Sequence, residues 1–76
     1  MNLRERAAQA KIILDNEVFQ SVLLQVEDNL VHEWKISDNR EHRESCWLRI
    51  DALRSVVEEL EAVIQSDMIE EKTKSR

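Results

Sequence analysis

Apolar residues recur along the second half of the chain at helical spacing. Cys46, Ile50, Leu53, Val57, Leu60 and Ile64 follow one another in steps of four and three. That is the seam of a helix that lies along another helix. Val56, Val63 and Trp47 flank the seam and widen it beyond a narrow two-strand contact. A second stripe, Phe19, Val22, Leu23, Val26, Leu30 and Trp34, repeats the spacing within residues 17–35. Leu24 and Val31 fall off this stripe and either widen it or touch another subunit. Residues 3–14 read as a shorter helix, with Ala7, Ala8, Ile12 and Ile13 apolar and Arg4, Glu5, Arg6 and Lys11 solvated.

Polar residues mark the joints. Asp15 and Asn16 interrupt the pattern: either Asp15 caps a new helix, or one continuous helix carries a polar ring there. Lys35-Ile36-Ser37-Asp38-Asn39 reads as the turn. Asp38 and Glu41 have the spacing of a capping box, with Ser37 as the competing cap. The last helix is expected from about residue 38 to about residue 70. Residues 70–76 lose the apolar period and are expected to fray. A short turn between two long helices predicts that they run antiparallel, with Trp34 and Trp47 near the same end.

Composition points the same way. The 76 residues contain no glycine and no proline, and a β-rich fold draws its turns mainly from Gly, Pro, Asn and Asp, so helix is the default. The expected architecture is all-α, a single small domain over residues 1–76. It is a long antiparallel helical hairpin, its first helix short or kinked, that self-associates into a helical bundle. Such a small chain buries too little surface alone, and it has no disulfide framework to compensate. The expected oligomer interface comprises Phe19, Val22, Leu23, Val26, Leu30, Ile50, Leu53, Val56, Val57, Leu60, Val63 and Ile64. A dimeric four-helix bundle is the simplest closed form, and a larger ring the alternative.

The formal net charge of −5 opposes general binding to DNA or anionic membranes. No stretch approaches the ~20 apolar residues of a membrane span, and the N-terminus lacks a signal-type apolar run. The single Cys46 fits a reducing cytosol. A soluble, intracellular protein is therefore expected.

Candidate chemistry is sparse. His42 and Cys46 stand four apart, a spacing that places two ligands on one metal, with His32, Glu41 and Glu44 nearby. Zinc calls for about four ligands and no second pair is legible, so no metal site and no cofactor are expected. Cys46 reads as a small apolar seam residue. A Cys-His nucleophile would need an oriented base, an oxyanion site and a pocket, so no enzyme is expected. The best binding candidates are Arg40, Arg43, Trp47 and Arg54 on one side of the last helix, with Trp34 across the turn. Guanidinium forks and an indole face suit a nucleotide, a nucleic-acid strand or an acidic partner segment. The competing reading is structural. Five basic residues in 32–54 are offset by Glu33, Asp38, Glu41, Glu44 and Asp51, and the arginines then pair with acids across a subunit interface.

Several short stretches carry a family likeness. After an alanine-rich start come Ile13-Leu14-Asp15-Asn16-Glu17-Val18-Phe19, Glu33-Trp34, Arg43-Glu44 with Trp47-Leu48, Ala52-Leu53 and Leu60-Glu61. Over residues 7–66 this resembles small helical proteins encoded by tailed bacteriophages. In that group proline often follows the Asp; here Asn16 stands in its place. The resemblance carries over no catalytic or binding residue. It implies a viral protein of the infected bacterium's cytoplasm or of the virion. The expected function is a non-enzymatic accessory or structural protein, a homo-oligomer that engages a phage or host protein in virion assembly, DNA packaging or host-protein binding. The alternative is an oligomeric binder that sequesters nucleotide signals of host defence. A nucleic-acid-binding accessory protein is the third reading.

Overall fold

The computed structural model describes residues 1–74, with side chains to Lys72. Among the described residues the chain is all-helical with no strand, in three segments: α1 (Leu3–Asp15), α2 (Glu17–Ile36) and α3 (Arg40–Lys74). Among the described residues, no helix is long and apolar enough to cross a membrane.

Asparagines start all three helices. Asn2 Oδ1 accepts from the Glu5 amide at 2.8 Å, which satisfies one of the orphan donors of the first turn of α1. The polar pair at 15–16 is a break, and its cap is Asn16 rather than Asp15. Asp15 keeps helical geometry, whereas Asn16 is extended (φ −70°, ψ 122°). Only an extended residue can turn its side chain back onto the following amides, and Asn16 Oδ1 accepts from Phe19 N at 2.9 Å. The same residue closes α1, donating its own N–H to Ile13 O at 3.2 Å. Gln20 Nε2 reaches back to Leu14 O at 2.6 Å and satisfies another free carbonyl.

The turn at 37–39 is handled similarly. Ser37 ends α2 in extended conformation and its Oγ accepts from Asn39 N at 3.2 Å. Asn39, not Asp38 or Ser37, caps α3, through Oδ1 to His42 N at 3.0 Å. The last helix therefore begins one residue later than the capping-box spacing suggests. It continues past the expected end near 70 to Lys74; of the expected tail, Ser75 and Arg76 lie outside the described residues. No described residue has positive φ, so the lack of glycine imposes no strain at either joint.

α3 is the spine. It is 35 residues long, about 52 Å by helical rise, and sets the 57 Å long dimension of the molecule. Both α1 and α2 pack on α3 far more than on each other. Glu33 and Glu27 of α2 face His42 and Arg54, and Arg4 of α1 meets Glu71 at 2.8 Å. Small Ala7 and Ala10 are buried and let α1 approach α3 closely. The core is thin: among the described residues, Leu30, Cys46 and Ile50 complete the set of buried apolar side chains. Leu30 and Ile50 are thus already enclosed within one chain. The remaining seam residues, Leu53, Val57, Leu60 and Ile64, are half-buried, as are Phe19 and Leu23.

Candidate functional site

Three surfaces carry the chemistry. The first is an apolar groove on one flank of α3. Ala10 and Ile13 of α1 face Val56, Leu60 and Val63 across one stretch. Val26 and Leu30 of α2 face Ala52, Leu53 and Val56 across the next. Val56 lines both stretches, so they form one continuous strip, opposite the junction of α1 and α2. Val56 remains 54% exposed, and Val22 and Val26 are also exposed.

The second surface is the tryptophan and arginine stripe. Trp47 and Val56 are nine residues apart, about half a turn at 3.6 residues per turn, so the stripe lies on the opposite flank of α3 from the groove. Trp34, Arg40, Arg43 and Trp47 share one cleft with Asp38 and Glu44, close to the turn. The Arg43 guanidinium lies over the Trp34 ring at 4.6 Å, and that of Arg54 over Trp47 at 5.8 Å. Arg54 stands further along α3, with its Nε 3.9 Å from Glu27 Oε1. Two guanidiniums and two carboxylates line the cleft itself, which agrees with the near-neutral balance read from the sequence.

The third surface contains the His42 and Cys46 pair read from the sequence, joined by a residue that the sequence reading did not name with them. Glu33, His42 and Cys46 converge where α2 and α3 meet at the turn. Cys46 Sγ is 3.7 Å from Glu33 Oε2 and 3.7 Å from His42 Nε2, and the latter two atoms are themselves 3.7 Å apart. Cys46 is fully enclosed, while the Glu33 and His42 side chains are about half-exposed. His32, Glu41 and Glu44 do not join this group. His32 lies about 100° round α2 from Glu33, and Glu41 about 100° round α3 from His42. Burial pushes the Cys46 thiol above its ordinary range, and the charge and hydrogen bond of Glu33 add to the effect. The signal that would have found Glu33 is its place in the last turn of α2, across the 37–39 turn from the first turns of α3.

No family model, no curated protein and no solved structure matches this chain.

Proposed function

We propose that this chain is the protomer of a homo-oligomeric helical interaction module, a hairpin of α2 on α3 with α1 laid beside it. One observation carries the reading. The chain exposes 6428 Å², whereas a folded monomer of 9.0 kDa exposes about 4,900 Å². The excess, about 1,500 Å², exceeds the ~800 Å² per partner of a standard protein interface. Its radius of gyration, 16.7 Å, likewise stands above the about 11 Å of a compact chain this long. A second copy laid along the strip through Ile13, Val26, Val56 and Val63 covers the apolar part of that excess. The resemblance of residues 7–66 to phage-encoded helical proteins supports a viral accessory or structural role in the bacterial cytoplasm or the virion, and the surfaces left free by self-association would meet a phage or host protein. Sedimentation equilibrium tests the core of the proposal: an assembly mass is expected at micromolar concentration, and a 9.0 kDa species at every concentration refutes it.

The second reading, a binder of nucleotide signals, is favoured by the cleft of Trp34, Arg40, Arg43 and Trp47. An indole face beside two guanidiniums suits a base and its phosphate. Cyclic and linear nucleotides are expected to raise the melting temperature and quench tryptophan fluorescence if this reading holds. Absence of both effects removes it and leaves the oligomer untouched.

A further inference from the structure

The geometry points to a zinc-class metal site at Glu33, His42 and Cys46, which clips the end of α2 to the start of α3. This inference does not depend on self-association.

The first argument is metric. Sγ of Cys46, Nε2 of His42 and Oε2 of Glu33 form a triangle with all three sides at 3.7 Å. Its centre lies about 2.1 Å from each corner, within the range of zinc bonds to nitrogen, oxygen and sulfur, roughly 2.0–2.3 Å. An ion slightly out of the plane lengthens all three bonds together and leaves a fourth, tetrahedral position.

The second argument is what the side chains do not do. An imidazole nitrogen that donates to a carboxylate sits at about 2.7–3.2 Å, yet His42 and Glu33 stand apart at 3.7 Å. Each instead meets the sulfur: the Cys46 thiol donates to Glu33 Oε2 and lies against His42 Nε2 at the same 3.7 Å, so the three ligand atoms sit together. The thiol is the only wholly enclosed member, and the half-exposed Glu33 and His42 leave a route for the ion.

The third argument is chemical. A thiolate, an imidazole and one carboxylate select zinc, cobalt or similar divalent ions over magnesium or calcium, which prefer all-oxygen shells. On binding, a metal–sulfur bond forms and the thiol proton leaves to the buffer. A dication with one thiolate, one carboxylate and a neutral imidazole is then neutral overall, which suits a partly buried position. His42 and Cys46 occupy one face of α3 at a spacing of four. The turn supplies Glu33 from the other helix, so the ion spans both sides of the only reversal in the described chain.

Cobalt(II) is the probe, because its thiolate bond gives a near-ultraviolet charge-transfer band and tetrahedral coordination gives visible bands. Titration of the metal-free chain is expected to saturate both at one cobalt per chain, with zinc displacing cobalt and raising the melting temperature. Cys46→Ala is expected to abolish the charge-transfer band. Glu33→Gln and His42→Ala are expected to weaken binding at least tenfold, with circular dichroism confirming that each variant stays helical. An absent band, saturation at half a metal per chain, or unchanged affinity in folded Glu33→Gln and His42→Ala overturns the inference.

Discussion

Replacing Val56 by aspartate isolates the apolar strip from the fold. Val56 is 54% exposed in the single chain, so an Asp there is solvated and the protomer loses the half of the valine already covered, about 1 kcal/mol, with little change in helix propensity. In an assembly that covers the strip, two terms are lost. Fully burying a valine contributes about 1.5–3 kcal/mol, of which roughly half remains to be gained here, about 1 kcal/mol per copy. The carboxylate adds an effective penalty of several kcal/mol per buried ion. For a symmetric pair the sum passes about 5 kcal/mol, more than roughly a thousandfold in the dissociation constant. Sedimentation equilibrium from micromolar to submillimolar protein reads this directly, with far-ultraviolet circular dichroism to confirm that the helices persist. Leu48→Asp is the control, since Leu48 lies about 200° round α3 from Cys46, on the outer face of the helix. Association of Val56→Asp at wild-type strength, or equal disruption by Leu48→Asp, would refute the assignment of the strip.

Three further outcomes are expected. Asn16→Ala removes the acceptor for Phe19 N and should lower stability by about 1 kcal/mol, a fall of roughly 4–8 °C in melting temperature for a domain of this size; an unchanged melt would mean that the cap contributes nothing. Ala10→Leu forces a large side chain between α1 and α3, at a typical overpacking cost of about 1–3 kcal/mol, whereas the same change at exposed Ala8 should be neutral by thermal melt. In metal-free protein the folded Cys46 thiol holds its proton more tightly than the unfolded one, because burial and Glu33 both oppose the thiolate. Its contribution to stability is therefore complete below the ordinary thiol value of 9.0 and is lost as pH rises through the higher folded value. The urea midpoint should fall over that alkaline window in the wild type and show a shallower fall in Cys46→Ala.

The helices were legible because amphipathic spacing survives without any knowledge of partners. The steps from Cys46 to Ile64 are set by helix geometry alone, and those residues do face the other elements. The joints were not legible to the residue. Asp and Asn are about equally good caps, and Asp15 stands beside Asn16 as Asp38 stands beside Asn39. Which one caps depends on which residue leaves helical geometry, and that is decided where α1 and α2 settle on α3. Glu33 was missed for a related reason. His42 and Cys46 belong to one helix and declare themselves by their spacing of four, but the third member arrives from across a turn whose length was misjudged by two residues. The placing of Trp47 beside Val56 and Val63 was too coarse, since nine residues put Trp47 and Val56 on opposite flanks.

The single-residue break at Asn16 divides the partner of an unbroken rod into two. α1 and α2 meet there, hold α3 separately and hold each other little. Opening can thus proceed in two steps, with α1 and the distal half of α3 releasing while α2 and the proximal half stay closed. Amide hydrogen exchange would then sort this short chain into two classes of protection, with the boundary on α3 near Val56.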